Sequence, residues 1–362
     1  MAAIVDSLTC LHSSDPATVY LSAMVRMEHP SVDAVESALY EERTLVRHHA
    51  MRRTIWVFPV PAVAEAHWSS TVAVAANQER VLAQFLEADG ITSDGMAWIA
   101  MARPLLLDEI ARRGITTTRE LGAALPEISR PLRIEGGQLS THSRTLLLMG
   151  FEGSIVRTRP IGTWISSQYR WSLMQSWYPD ALLPMDRKTA EERLVRRYLT
   201  SFGPVTTTDV AWWSGWPKTT VRSALDRVGA VRVEVDGGEA WVDPEDEDAN
   251  ETPIDGPVVS FLPGLDSTVM GWKERDWYVD PAMTGRLFDR NGNAGPTIWI
   301  DGRVVGGWVQ RASGEIATEI LDPTAEHLRP EIEAEAERVG AMYGEIRHKV
   351  RFPAPLQSDR YG

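Results

Sequence analysis

Two segments of the chain repeat one pattern of polar and apolar positions. Residues 114–125 (GITTTRELGAAL) and 204–215 (PVTTTDVAWWSG) each place a Thr triplet after a β-branched residue and ahead of a short amphipathic stretch. Thr is a favoured helix cap, and an acid in the first turn stabilises the helix N-terminus. We therefore predict helices capped by Thr117 or Thr118 and by Thr207 or Thr208. Each would be the second helix of a helix-turn-helix.

The pattern around the second segment completes a larger unit. Residues 189–202 predict a preceding helix, and a third helix would be capped near Lys218 or Thr219. Two alternating strands follow, joined at Gly237 and Gly238. Three helices and a hairpin are the order of a winged helix, which we place at residues 189–244.

The same order is predicted twice more upstream. Residues 96–114 and 140–150 predict the outer helices of a middle module, with a wing at 151–171, so that 61–188 holds linker helices and a second winged helix. Residues 1–60 predict helices at 15–27 and 31–44, then a strand, a turn and a strand, as a first winged helix. Three modules at this spacing indicate a repeat architecture.

The last part of the chain reads differently. Residues 243–255 hold seven acids and no base, which predicts a solvated linker. Period-2 strands with turns at 301–302 and 313–314, and a helix near 325–345, follow. We expect residues 245–362 to form the acidic linker and a small C-terminal α+β domain, in a chain of α+β class overall.

The net charge of −13 by itself disfavours a nucleic-acid partner, because phosphate binding requires a basic surface. The acidity is local, because residues 1–240 carry 25 Lys and Arg against 27 Asp and Glu, and residues 241–362 carry 12 against 23. Most bases are guanidinium groups, which suit bidentate phosphate contact. The side chains that we expect to contact DNA are Arg43, Arg47, Arg52, Arg53, Arg144, Arg157, Arg159, Arg170, Lys218 and Arg222.

Other classes of protein are disfavoured by composition. There is no apolar run of membrane-spanning length and no basic start to a signal peptide, so we expect a cytoplasmic protein without a membrane partner, which joins the nucleoid when bound to DNA. The lone Cys10 excludes an intramolecular disulfide and a multi-cysteine zinc site. We expect no metal, no cofactor and a monomer.

Five segments in register resemble the winged-helix DNA glycosylases of the AlkZ and YcaQ type. They are residues 11–26, 51–59, 205–215, 261–276 and 291–308. The resemblance implies three winged helices in a C-shape around duplex DNA. It also implies a catalytic Gln-x-Gln or Gln-x-Asp pair just before a helix that opens with Asp-Pro. In this chain the pair falls on His12 and Ser14.

His12 and Ser14 are chemically adequate for that role. Asp15 as N-cap and Pro16 in the first turn place both residues on the extended approach to a helix, two positions apart and facing one side. A neutral imidazole can accept a proton from water near pH 7, and a hydroxyl can orient that water. The alternative is that His12 packs locally, Ser14 merely precedes the helix and Asp15 is only a cap.

Other notable residues have simpler interpretations. His48, His49 and His67 lack the spacing of a metal site, so a wing or surface role is favoured over metal binding. His142 and Arg144 either reach DNA or mark an exposed helix start. Three further sets are expected to be structural or solvated. Trp212, Trp213 and Trp216 are expected in the core, and Asp266 and Arg275 in a structural ion pair. Lys218 and Arg222 are expected either to contact phosphates or to be solvated.

Two functions agree with these features. The first is a monofunctional DNA glycosylase that hydrolyses the N-glycosidic bond of alkylated bases of the N7-purine type, including bulky or crosslinked ones, in double-stranded DNA. It would serve DNA repair or self-resistance to a genotoxin, with His12 and Ser14 around the attacking water. The alternative is a non-catalytic winged-helix DNA-binding or regulatory protein.

Overall fold

The computed structural model describes residues 1–134, 136–236, 238–246 and 255–360. The chain divides into two compact units. Unit 1 consists of residues 1–36 and 195–362, and unit 2 of residues 37–194. The second division falls inside the helix Arg187–Phe202. Neither division coincides with the predicted module boundaries, which remain predictions.

Unit 1 mixes helices and antiparallel strands. Its helices are Ala2–Asp6, Pro16–Met24, Val32–Glu36, Thr207–Ser214, Lys218–Val228, Pro281–Leu287, Arg329–Tyr343 and Pro355–Arg360, with 3-10 turns at Pro244–Asp246 and Pro323–Leu328. Its strands are Leu11–His12, Val231–Val235, Gly238–Val242, Val259–Leu262, Thr297–Ile300, Arg303–Gln310 and Ile316–Ile320. The last four form one sheet in chain order, each antiparallel to the next. The predicted α+β character of this part is confirmed.

Aromatic side chains build the core of this sheet. Phe261 stacks with Trp308 at a ring distance of 6.1 Å, and Tyr278 stacks with Trp299 at 5.2 Å. Trp308 is 1% exposed and donates from its indole nitrogen to the carbonyl of Leu262. Large buried rings contribute much of the apolar area that stabilises a core. The acidic stretch 243–255 lies mostly outside the described residues.

Unit 2 is mainly helical. Its helices are Val60–Ala66, Val72–Ala88, Gly95–Arg113, Thr118–Ala124, Thr141–Glu152 and Met174–Trp177, with shorter turns at Ser37–Glu41, Met51–Arg53, His67–Thr71 and Pro126–Ile128. Its strands are Leu45–His49, Ile55–Pro59, Thr116–Thr117, Pro131–Ile134, Gly137–Ser140, Ile155–Pro160 and Tyr169–Leu173. One core cluster includes Leu106, Leu121, Leu146 and Trp171. The hairpin 131–140 is an addition that the repeat pattern did not predict.

The two repeated Thr segments have the same local structure. Thr117 caps one helix and Glu120 returns the hydrogen bond to the Thr117 backbone, and Thr206 and Asp209 form the same capping box. The prediction of Thr117 as a helix cap is therefore confirmed. The prediction of Thr207 or Thr208 is wrong by one or two positions, because the cap is Thr206. The reciprocal bond requires the acid three residues after the cap, so the acid sets the register rather than the Thr triplet.

Of the wing or surface role predicted for His48, His49 and His67, the surface position is wrong, although His48 and His49 do lie on a strand of the hairpin Leu45–Pro59. The three side chains are 2%, 6% and 5% exposed, and Nε2 of His48 lies 3.0 Å from Nδ1 of His67. Burial lowers the pKa of His67 to about 4 and holds the pKa values of His48 and His49 well below their ordinary value. Since the charged form is poorly solvated inside the unit, all three rings are neutral at pH 7.

This burial predicts a pH dependence of stability. Unfolded histidine takes up a proton near pH 6.5, whereas folded His67 takes one up only at about 4. Between these values the unfolded chain binds more protons, so stability falls as the pH decreases, by about 2 kcal/mol for His67 between pH 7.5 and pH 5. Urea unfolding of the wild type and of His67→Gln at both pH values measures this, and the variant should lose less stability.

The matched control is His327→Gln, since His327 is exposed. It should lose as much stability on acidification as the wild type. An equal loss in His67→Gln would show that His67 does not cause the pH dependence.

Candidate active site and nucleic-acid interface

The helix Pro16–Met24 begins as the sequence predicts. Asp15 has an extended backbone (φ −102°, ψ 118°), and its side chain accepts a hydrogen bond from the Ala17 amide at 3.1 Å. Pro16 occupies the first turn, where its missing N–H costs nothing. The capping role of Asp15 is confirmed. The short strand Leu11–His12 and residues 13–14 lead into this helix.

His12 is more enclosed than a water-activating base would be expected to be. Its side chain is 6% exposed, and its Nδ1 accepts a hydrogen bond of 3.3 Å from the Ser14 amide. With Nδ1 accepting, a neutral ring carries its proton on Nε2 and presents a donor there. This arrangement disfavours the predicted role of His12 as a proton acceptor. Ser14 is partly exposed.

Asp15 has two further partners that the sequence did not reveal. Its carboxylate accepts from Nε2 of His348 at 3.1 Å and from the Arg351 amide at 2.9 Å. Burial raises the pKa of Asp15, but these bonds and the one from Ala17 outweigh it and hold that pKa below its ordinary value. The one available signal was the basic run 347–351 (RHKVR) after a predicted helix.

A buried ion pair holds the other end of the same helix. Asp266 is fully buried and accepts from Arg26 at 2.8 Å and from the Ser22 hydroxyl at 2.6 Å. Burial acts to raise the pKa of Asp266, but the charge and hydrogen bond of Arg26, together with the hydrogen bonds from Ser22 and Thr268, outweigh burial and lower that pKa. Any pairing of Asp266 with Arg275 is therefore wrong. Arg275 instead lies over the rings of Trp212 and Phe288, at 5.3 Å and 4.5 Å.

Of the three tryptophans at 212, 213 and 216, two are buried and one is partly exposed. Trp213 and Trp216 are buried, which confirms their assignment to the core. Trp212 is partly exposed. Nearby, Lys218 and Arg222 lie one turn apart on the helix Lys218–Val228, and both are exposed. Lys218 donates to the Thr208 hydroxyl at 3.1 Å.

Several arginines of unit 2 pack on aromatic rings. Arg47 is 3% exposed, bonds to the Tyr40 hydroxyl and lies 4.9 Å from the Tyr169 ring. Arg157 lies 5.5 Å from the same ring. Because a buried guanidinium cannot reach a phosphate in this conformation, we remove Arg47 from the expected DNA contacts. Its guanidinium instead makes cation–π contacts with the rings of Tyr40 and Tyr169.

Two other arginines are already engaged. Arg43 lies 4.0 Å from the Trp177 ring. Arg159 pairs with Glu41 at 3.1 Å, and both side chains are exposed. Such exposed pairs are weak, so a phosphate can compete for Arg159.

The remaining arginines of unit 2 include a neighbouring pair. Arg53 is exposed with a left-handed backbone (φ 61°), and Arg144 donates to Gln78 at 3.0 Å. Burial and the charge of Arg53 both lower the pKa of Arg144. The two guanidinium groups therefore lie near enough for their charges to interact. Arg52 and Arg170 are partly exposed.

His142 does not join this set. It is 6% exposed and lies 2.8 Å from the Ser129 hydroxyl and 3.1 Å from the Thr118 carbonyl. The expectation of an exposed helix start is therefore wrong, and a contact of His142 with DNA stays a prediction.

No metal site and no membrane span emerge from the described part of the chain. Among residues 1–134, 136–236, 238–246 and 255–360, no group of three or more His, Cys, Asp or Glu side chains is arranged to hold a metal ion. Within the same ranges no helix combines the length and the apolar character needed to cross a bilayer.

Comparison with known proteins decides the family. The family model described as DNA glycosylase AlkZ-like matches residues 5–342. The chain belongs to the AlkZ-like DNA glycosylase family. The solved structure of Streptomyces sahachiroi DNA glycosylase AlkZ is similar, with a TM-score of 0.72 at 21% identity, over 97% of this chain and 92% of that chain. No curated protein matches the chain.

Family membership confirms the resemblance seen in the sequence and makes DNA the substrate. The likeness to AlkZ shows that the two chains share a fold. The matched range contains His12 and Ser14, where the resemblance places a glutamine pair, and it ends before His348 and Arg351. DNA glycosylase activity in DNA repair is therefore the function that the comparisons support.

The paired cations Arg53 and Arg144 predict a salt-dependent contact. Arg53→Ala should weaken binding to undamaged duplex and reduce the slope of log K against log salt concentration by about 1, as expected for one lost phosphate contact. Fluorescence anisotropy over a salt series measures the slope. Arg112→Ala is the matched control, because Arg112 is ion-paired with Glu109 on its own helix. Equal slopes for Arg53→Ala and the wild type would exclude the contact.

Proposed function

We propose that this protein is a monofunctional DNA glycosylase that removes N7-alkylated purines, including bulky or crosslinked ones, from duplex DNA. The observation that carries this proposal is the family match over residues 5–342, which includes the approach to the Asp15 helix cap. Removal of such bases would serve DNA repair or resistance of the producing cell to its own genotoxin, in the cytoplasm and at the nucleoid.

The chemistry demands little of the protein. An N7-alkylated purine carries a positive charge, so the electrons of the broken C1′–N9 bond neutralise the leaving base without a strong general acid. Water then adds to the oxocarbenium-like sugar at C1′ and releases one proton to solvent. The protein must mainly place this water and avoid a positive charge beside the sugar, and an imidazole meets both demands only in its uncharged form.

The hydrogen bond from the Ser14 amide modifies the roles assigned from sequence. Because Nδ1 of His12 accepts from the Ser14 amide, we assign its imidazole to orienting the water rather than to removing the proton of the water. The Ser14 hydroxyl accepts from the same water and holds it toward C1′. No phosphate is assigned to the N-terminus of the helix Pro16–Met24, because the carboxylate of Asp15 already occupies it and the helix is buried.

DNA is held mainly by arginine. In unit 2 we assign phosphate contacts to Arg52, Arg53, Arg144 and Arg170, with Arg43, Arg157 and Arg159 shared between phosphate and aromatic rings. In unit 1 we assign them to Lys218 and Arg222. Two of the three predicted winged helices are assigned to runs of three helices and a strand pair that end at Leu173 and Val242, and the first stays assigned to residues 1–60. The protein acts as a monomer.

One observation favours a second function. The enclosed His12, with Nδ1 already engaged, also suits a protein that binds damaged DNA without cutting it. In that case the same cations would serve a winged-helix DNA-binding or regulatory protein.

Abasic-site formation separates the two functions. Duplex DNA containing N7-methylguanine, or a bulkier N7 adduct, is incubated with protein, and abasic sites are cleaved and counted. We expect base release by the wild type, and a loss of about 10²-fold in His12→Ala and in Ser14→Ala, because each removes a group that orients the water. His29→Ala is the matched control, since His29 is exposed.

One outcome would contradict the enzymatic proposal, and another would contradict only the assignment of its catalytic residues. Tight binding without base release from any adduct would favour the binding protein. Full activity in both His12→Ala and Ser14→Ala would leave a glycosylase whose catalytic residues lie elsewhere.

A further inference from the structure

The carboxylate of Asp15 is more heavily engaged than a helix cap requires. A cap needs one acceptor oxygen for an amide of the first turn, and Ser or Asn supplies it as well as Asp. Here Oδ1 accepts from Ala17 at 3.1 Å, while Oδ2 accepts from the Arg351 amide at 2.9 Å and from Nε2 of His348 at 3.1 Å. Two of the three donors come from a segment 333 or more residues away.

The distant segment is itself fixed in place by the sheet of unit 1. Gln310 ends the strand Arg303–Gln310 and is 3% exposed. Its amide oxygen accepts from the His348 backbone at 2.8 Å, and its amide nitrogen donates to the Ile346 carbonyl at 3.0 Å. The His348 ring lies parallel to that of Tyr343, at 6.3 Å and 19°. The imidazole therefore reaches Asp15 from a rigid support.

A second contact leads to the candidate catalytic pair. Nη1 of Arg351 donates to the Ser14 carbonyl at 3.2 Å. The amide of the same Ser14 donates to Nδ1 of His12 at 3.3 Å. The backbone that carries Ser14 is thus held on one side by Arg351 and joined on the other to the His12 ring. We call His348 and Arg351 the C-terminal clasp.

We propose that the C-terminal clasp positions His12 and Ser14. The proposal rests on the proposed function for its consequence in catalysis, since misplacing a catalytic group by about 1 Å costs up to about 10²-fold in rate. His348 and Arg351 are positioning residues, because they act on the site through Asp15 and Ser14. Both lie beyond the range that the family model matches.

The test compares His348→Ala, which removes the donor to Asp15, with His348→Gln, whose side-chain amide can restore a donor. The matched control is His327→Ala, because His327 is exposed and contacts the Thr324 carbonyl of its own turn. Two quantities are measured on the full-length protein. They are amide hydrogen exchange over residues 11–18, and single-turnover release of N7-methylguanine at several protein concentrations.

The clasp predicts a selective effect. His348→Ala should exchange faster over residues 11–18 and release base about 10-fold more slowly at saturating protein. The protein concentration at half-saturation should stay unchanged. His348→Gln should recover most of both losses, and His327→Ala should match the wild type. A merely structural role would change half-saturation and rate together, without recovery by Gln.

Failure of the clasp and failure of the proposed function are distinguishable. Unchanged exchange and unchanged rate in His348→Ala would overturn the clasp while leaving the glycosylase intact. If the wild type releases no base, the proposed function fails. In that case amide hydrogen exchange over residues 11–18 still tests the clasp. Faster exchange in His348→Ala, with a return toward the wild-type rate in His348→Gln, supports positioning, and unchanged exchange refutes it.

Discussion

A buried carboxylate in unit 1 joins parts of the chain that are distant in sequence. Asp15 is 4% exposed, and a charge so far from water is tolerated only when its oxygens are hydrogen-bonded. Ala17, His348 and Arg351 meet that requirement, so the start of one helix and the segment 348–351 must lie together. The hydrogen bonds of Asp15 therefore also fix the position of the residues just before it. Those residues are His12 and Ser14, where the family resemblance places catalysis.

The same principle applies throughout the molecule, because local surroundings decide what each charged group can do. A net charge of −13 coexists with exposed arginines, since most of the excess of acids over bases lies in residues 241–362. Arg47 and Arg53 lie six positions apart, yet Arg47 is buried among tyrosines and Arg53 is exposed. Three histidines that are polar in the sequence are neutral inside unit 2, because burial there penalises the imidazolium form.

The sequence predicted features that local patterns control. The cap at Asp15, the helix near 325–345 and the turns at 301–302 and 313–314 follow from short-range chemistry, and the structure has them. The sequence pattern predicted the second cap at Thr207 or Thr208, because the Thr triplet offers three similar hydroxyls. Only the reciprocal hydrogen bond with Asp209 identifies Thr206 as the cap. Burial of His48 and Arg47, and the approach of His348 to Asp15, depend on tertiary contacts that no local pattern encodes.

Base excision is assigned to the approach to the Asp15 cap. The most direct measurement of this is a crystal structure of the protein with duplex DNA that carries a cationic azasugar at the abasic position, because this group mimics the sugar cation. We predict that its C1′ position lies within reach of His12 and Ser14, directly or through one ordered water. An azasugar bound against other residues, with His12 and Ser14 remote from it, would contradict the assignment.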